Sequence, residues 1–239
     1  MIDRHFLKLR ARDTVGPEEE QAIRDSVAEI RTLPADHTII RAGDLLTFST
    51  MLLDGIMCRY KDLSDGQRQI TALHVAGDFV DLHSFTLKRL DHSIMTITPC
   101  RIGIVPHDGL EKITERMPHL TRLYWFTTNL DAALHREWEL SLGRRTAISR
   151  IAALFCEMNL RMQVVGLSDG RRYDLPLTQT DLAECVGLTP IHVNRTLKEL
   201  REQGLVQFKG GRVVIADWDG LQGVAEFDPA YLYLEHQHQ

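Results

Sequence analysis

Between Leu177 and Arg212 a histidine, an asparagine, an arginine and a lysine follow one another at helical spacing: His192, Asn194, Arg195 and Lys198. The guanidinium of Arg195 can bond O6 and N7 of guanine together, the commonest base-specific contact that proteins make with DNA. Asn194 can reach adenine or a phosphate, and His192 a base edge or a phosphate. Lys198, one turn further along, suits the phosphate backbone. Gln179, near a helix start with exposed backbone N–H groups, also suits a phosphate. Thr178 and Thr189 at two helix starts, with Lys209 and Arg212 around a glycine pair, complete the candidate DNA-binding set.

The order of residue types says which elements must hold these groups. Thr178 is suited to cap a helix, and Asp181 three residues on favours its positive end. Leu182, Ala183 and Val186 form one apolar face, and Gly187 is free to turn sharply. Thr189 and Pro190 start a second helix, in which Val193, Leu197 and Leu200 are expected to point inward. Gly204 ends it, Leu205 to Phe208 reads as a strand, and Lys209-Gly210-Gly211-Arg212 as a wing tip. Helix, turn, helix and hairpin together make a winged helix-turn-helix, which lays its second helix in the major groove. The bland alternative is a helical hairpin with a solvated charged face.

Charge is a mild objection to a nucleic-acid partner. The chain of 239 residues carries a net charge of -5, and residues 177–212 hold five basic residues against four acidic ones. Binding must then rest on placement rather than on overall field, with strong salt sensitivity. Cys58, Cys100, Cys156 and Cys185 lie far apart without zinc spacing, which fits a reducing cytoplasm and argues against an iron–sulfur cluster held by this chain alone. No apolar run could span a bilayer and no signal-peptide pattern opens the chain, so a cytoplasmic protein without a membrane partner is expected. No nucleophile–base pair, phosphate loop or catalytic motif stands out, so no catalytic residue is assigned and the chain reads as a non-enzyme.

The upstream half follows another rhythm. Pro17 opens a helical lead-in whose Ile23, Val27 and Ile30 share a face. From about Thr38 to Val105, short apolar runs alternate with turn signals such as Arg41-Ala42-Gly43-Asp44 and Ala76-Gly77-Asp78, the pattern of a small antiparallel roll or barrel that either encloses a ligand or is filled by its own side chains. From about Pro118 to Gly143 a long helix places Leu123, Phe126, Leu130, Ala133, Leu134 and Trp138 on one stripe, which a second copy of the chain could cover. Gly143-Arg144-Arg145-Thr146 breaks the pattern, and Thr146 can cap the next helix. The expected domains are a sensor roll over 1–117, a dimerisation helix over 118–143 and a DNA-binding domain over 144–239. His236-Gln237-His238-Gln239 reads as a polar tail.

This arrangement resembles the Crp/Fnr family of bacterial transcription regulators from about residue 30 to 220, most specifically in LTQTDLAECVGLTPIHVNRTLKELREQGLV and in the roll signals RAGD and AGDF. The resemblance implies an α+β chain: an antiparallel, cyclic-nucleotide-binding-like β-roll of jelly-roll type, a long dimerisation helix and a C-terminal winged helix-turn-helix. It implies a homodimer on a near-palindromic double-stranded DNA site, contact with RNA polymerase, and an effector sensed in the roll. An alternative is a metabolite-sensing module that works through protein contacts.

The departures from the family are specific. Cyclic-AMP-binding members follow GDF with Gly-Glu and carry a later Arg-Ser pair. Here Asp81-Leu82 and His92-Ser93 stand instead, and His135-Arg136 replace small hydroxyl residues on the long helix. A carboxylate without an arginine repels a phosphate, which argues against cyclic AMP. The candidate effector pocket is therefore Asp81, Leu82, His83, His92, Ser93, His135 and Arg136, with its ligand unidentified. No cysteine precedes Cys58, which argues against the family's iron–sulfur sensor, while His74, His83 and His92 leave haem open as an alternative. Near the start of the recognition helix, Ile191 stands where the family often has a glutamate, so the DNA site should differ from its known consensus classes.

Overall fold

The protein was analysed as a computed structural model that describes residues 2–234; the tail from His236 to Gln239 lies outside the described residues. Two compact units are distinguished, one of residues 2–61, 72–132 and 233–234, the other of 62–71 and 133–232.

The first unit opens with helices α1 (Asp3–Arg10) and α2 (Pro17–Ser26). The strands β1 (Glu29–Leu33), β2 (Thr38–Ile40), β3 (Phe48–Asp54), β4 (Ile56–Asp62) and β5 (Arg68–Val75) follow along the chain, the end of β4 and the first half of β5 falling in residues 62–71 of the second unit. After a single turn α3 (Ser84–Leu87) come β6 (Ser93–Thr96), β7 (Cys100–Pro106), α4 (His107–Arg116) and the long helix α5 (Pro118–Arg144), which continues into the second unit. The strands form two sheets, ordered β1-β7-β3 and β2-β6-β4-β5, with antiparallel pairing throughout the registers of β1, β2, β3, β4, β6 and β7.

Side-chain alternation explains how the β1-β7-β3 sheet is covered on both faces. On β3, Leu52 points into a cluster with Ile40, Met57, Ile94, Ile102 and Ile104 from both sheets. Its neighbours Met51 and Leu53 point the other way, into a cluster with Phe6 and Leu9 of α1, Ile23 of α2, Leu110 and Ile113 of α4 and Leu120 and Leu123 of α5. A strand buried on both faces reads as a continuous apolar run, which is what Met51-Leu52-Leu53 is. The first cluster thus draws its side chains from both sheets.

Helix α1 was not legible as a separate element. It packs through His5, whose Nδ1 meets the Gly77 carbonyl at 2.9 Å, and through Lys8, whose ammonium bonds Asp78. Gly77 sits at φ +101°, and a Cβ there would lie 2.8 Å from the Arg4 carbonyl oxygen, so glycine is needed both for the turn and for the close approach.

The second unit contains α6 (Ala147–Val164), β8 (Arg172–Asp174), α7 (Gln179–Val186), α8 (Pro190–Glu202), β9 (Val206–Lys209), β10 (Arg212–Ile215) and α9 (Trp218–Ala225), with a last short turn at Pro229–Leu232. Thr146 caps α6, its hydroxyl accepting from the Ser149 N–H. The buried face of α6, including Ile151, Phe155 and Met158, builds the core together with Leu182 of α7, Val193 and Leu200 of α8, Val213 of β10 and Leu221 of α9. β8 joins β10 and β9 in a three-stranded sheet, a strand more than the expected hairpin.

Candidate nucleic-acid interface

The two helices of the turn are locked at their starts by their own side chains. Thr178 accepts from the Asp181 N–H while the Asp181 carboxylate accepts from the Thr178 N–H at 2.7 Å, a reciprocal cap on α7. Gly187 at φ +63° ends α7 in the left-handed region. Thr189 then accepts from the His192 N–H and Pro190 takes the first position of α8, where a missing N–H leaves nothing unsatisfied.

The inward face of α8 is Val193, Thr196 and Leu200, all buried. Thr196 takes the place expected of Leu197, which is half-buried; its hydroxyl is satisfied by the His192 carbonyl at 3.0 Å, so a polar residue can sit there. The outward face presents Ile191, Asn194, Arg195 and Lys198, with His192 half-buried beside them. Asn194 Nδ2 donates to Gln179 Oε1 at 3.3 Å, joining the two helices across the turn. Lys198 lies 3.7 Å from Glu202 on the solvated face. Arg195 has no hydrogen-bond or ion-pair partner among the described residues, so its five donors face outward together.

In the wing, Lys209 and Arg212 pair directly across a two-residue turn whose Gly210 and Gly211 sit at φ +60° and +73°. Both side chains are exposed, and Arg212 Nε donates to Asp174 Oδ1 at 2.7 Å, so part of its charge is already matched within the sheet. Thr178 and Thr189 are exposed but hold the caps; their contribution to a DNA face is the backbone N–H groups they order.

Of the residues expected to form an effector pocket, those of the roll divide into buried and paired ones. Asp81 is fully buried and accepts from the Thr50 N–H at 2.5 Å; burial raises its carboxyl to about 7. Leu82 belongs to the apolar cluster beneath α1 and α4. Both are thus structural parts of the roll rather than walls of a pocket, because the chain between Gly77 and Ser84 turns them inward. Ser93 accepts from the Ala42 N–H at 3.1 Å. His83 and His92 stand with ring centres 5.4 Å apart.

A polar cluster missed by sequence reasoning surrounds the buried Arg59. Its guanidinium donates to the Val80 carbonyl and to Asp131 Oδ2, and His83 Nδ1 lies 3.9 Å from the same carboxylate. Burial first and the Arg59 charge second hold His74 down to about 4 and His83 down to about 3, and burial also lowers His92. The Nδ1 atoms of His74, His83 and His92 face three different carboxylates, Asp78, Asp131 and Asp91. Among the described residues no group of three such side chains is placed to hold a metal ion. The donor set does not fit a cyclic nucleotide either, since Arg59 is engaged and Asp81 lies under the Thr50 backbone.

Along α5, Leu123 is 1 % exposed within its own chain, as part of the roll-side core, so it is not a dimer-face residue. Ala133 is also buried, while Phe126, Leu130, Leu134 and Trp138 are half-buried, and Trp125, which the stripe omitted, is 67 % exposed. The Trp138 indole donates to the buried Glu157 carboxylate at 3.1 Å. The same carboxylate accepts from Tyr231 and Arg161. His135 and Arg136 lie on the part of α5 assigned to the second unit, with Arg136 exposed.

Comparison with known proteins gives this arrangement a lineage. Residues 30–117 match the cyclic nucleotide-binding domain and residues 149–224 the Crp-like helix-turn-helix domain. The transcriptional activator protein FnrL of Cereibacter sphaeroides is 31% identical over 202 residues, covering 82% of this chain and 80% of that protein. A probable transcriptional activator of Rhizobium leguminosarum is 31% identical over 195 residues, covering 80% and 79%. The structure of FixK2 from Bradyrhizobium japonicum superposes with a TM-score of 0.75 at 28% identity over 83% of this chain and 97% of that one. A β-roll, a long helix and a capped helix-turn-helix with its polar face outward, matched in sequence on both sides of the long helix, make this chain a DNA-binding transcription regulator of the Crp/Fnr family.

Proposed function

We propose that the protein acts as a homodimer on a near-palindromic DNA site and regulates transcription there through contact with RNA polymerase. The observation that carries this reading is the outward face of α8, where an unpaired Arg195 stands beside Asn194 on a helix capped at its start. In each half-site Arg195 reads guanine, Asn194 and His192 an adjacent base or phosphate, and Gln179, Lys198, Lys209 and Arg212 position the backbone. The exposed Trp125 and the half-buried Phe126, Leu130, Leu134 and Trp138 of α5 supply apolar surface for the partner helix. The roll over 1–117 is the sensor and 144–239 the reader, in the cytoplasm, with no catalytic step. The signal sensed in the roll is an unidentified effector, and cyclic AMP is disfavoured because Arg59 is engaged by Asp131 and Asp81 by the Thr50 backbone.

Selection of duplexes from a random library by the purified full-length protein, followed by affinity against salt, tests this reading. A palindrome with guanine in both half-sites and a steep salt slope is the expected result. A folded dimer that enriches no sequence, alone or with cell extract, would place its action in protein contacts instead.

A further inference from the structure

We propose that Ile191 is a base-reading residue that recognises the 5-methyl group of a thymine in each half-site. The inference rests on the DNA-reading role of α8 and extends it to a residue with no hydrogen-bonding group. Ile191 is 84 % exposed, the most exposed large apolar side chain among the described residues. It occupies the second position of α8, after the Thr189 cap and Pro190. Residues three and four apart share a helix face, so Ile191, Asn194 and Arg195 form one patch. Val193, Thr196 and Leu200 fill the inward face, and Ile191 is not part of it. A β-branched side chain on a proline-fixed first turn is also stiff, so it presents its methyl groups in one place.

The chemistry of the groove then selects the ligand group. Each base pair shows hydrogen-bonding atoms in the major groove, but only thymine adds an apolar group there. Against a thymine methyl, Ile191 gains buried apolar area. Against cytosine, adenine or guanine it would cover a donor or acceptor without replacing its bond to water, which is unfavourable. One residue thus both favours thymine and disfavours the other bases at its position, while Arg195 and Asn194 read polar edges nearby.

Deoxyuridine keeps the hydrogen-bonding edge of thymine and lacks only the methyl group. In the duplex selected by the full-length protein, each thymine is replaced in turn by deoxyuridine, and wild type is compared with Ile191→Ala. A buried methyl is worth about 0.8 kcal/mol, and 1.4 kcal/mol is tenfold, so wild type should lose about fourfold for the single replacement at the contacted thymine. Ile191→Ala should bind both duplexes alike, keep its preference for guanine and melt at the same temperature. Placing 5-methylcytosine at that position should regain affinity over cytosine for wild type alone. The inference is overturned if no thymine methyl matters, or if Ile191→Ala keeps the full deoxyuridine penalty. Failure to select any sequence would overturn the DNA-reading role itself, which retained guanine selection distinguishes from failure of the Ile191 assignment.

Discussion

Asn194 and Gln179 face each other across the helix-turn-helix, with Asn194 Nδ2 donating to Gln179 Oε1 at 3.3 Å. The first helix therefore orients a side chain of the second, and the two should not act independently on DNA. In a double-mutant cycle of Gln179→Ala and Asn194→Ala, affinities for the selected duplex should show a coupling of about 0.5 kcal/mol or more. Energies additive within about 0.3 kcal/mol would mean that the contact has no bearing on recognition.

Arg195 and Lys198 lie on one face but differ in what surrounds them. Arg195 is unpaired, whereas Lys198 stands 3.7 Å from Glu202. Arg195→Ala should cost roughly 1–3 kcal/mol per half-site and relax the base preference at one position. Lys198→Ala should weaken all sequences alike and reduce the salt slope by about 1. Competition binding with single-base variants at several salt concentrations separates the two, and identical behaviour would refute the division.

The helix-turn-helix was legible because caps, turn and inward positions are local and agree with one another: Thr178, Gly187, Thr189 and Pro190 each sit where the sequence places them. Its one misassigned position, Leu197 for Thr196, arose because helical spacing admits both i+3 and i+4 neighbours, and the hydroxyl's bond to the His192 carbonyl is invisible in sequence. Of the Arg59 cluster, only the histidines were legible. Across 72 residues the Arg59 guanidinium of β4 reaches the Asp131 carboxylate of α5, which His83 also approaches, and periodicity carries no signal for such contacts. Along α5, helical spacing alone could not show that Leu123 is claimed by the roll or that Trp125 is left exposed.

The wing tip offers a contrast between neighbours. Gly210 and Gly211 both have positive φ, yet a Cβ on Gly210 meets nothing within 4 Å, whereas one on Gly211 would lie 2.9 Å from Pro176 Cα. Gly210→Ala should therefore cost only the left-handed backbone strain, about 1 kcal/mol. Gly211→Ala should cost clearly more and shift the wing, measurable by urea denaturation and by weakened phosphate contact. Equal losses would show that the turn opens freely.

Glu157 is 2 % exposed and accepts from Trp138, Tyr231 and Arg161, tying the end of α5 and the C-terminal turn to α6. Removing the carboxylate strands three donors, one of them charged. Glu157→Ala should destabilise the second unit by about 3–5 kcal/mol; Tyr231→Phe, which removes one of the three bonds, should cost about 1 kcal/mol. Denaturation followed by Trp138 fluorescence gives both numbers. A loss for Glu157→Ala no larger than for Tyr231→Phe would mean that the carboxylate is not the joint the geometry suggests.

Acid should unfold the roll through its histidines. Burial holds His5 and His74 at about 4 and His83 at about 3, below the ordinary 6.5. Arg59 further disfavours charge on His74 and His83, while Asp78 and Asp131 partly favour it. Neutral in the folded chain, these rings take up protons only on unfolding, so their contribution is complete above 6.5 and is lost as pH falls towards 4. Asp81, raised to about 7 from 3.8, works in the opposite sense: its contribution is present at low pH and is lost as pH rises towards 7. Each histidine gives up about 1.4 kcal/mol between pH 7.5 and 5.5, and three of them outweigh one carboxyl, leaving a net loss on the order of 2 kcal/mol over that interval. His74→Gln should shrink that loss and Asp81→Asn should enlarge it. Urea midpoints at the two pH values decide the matter, since stability that stays level or rises on acidification would show that the buried rings are not neutral in the folded roll.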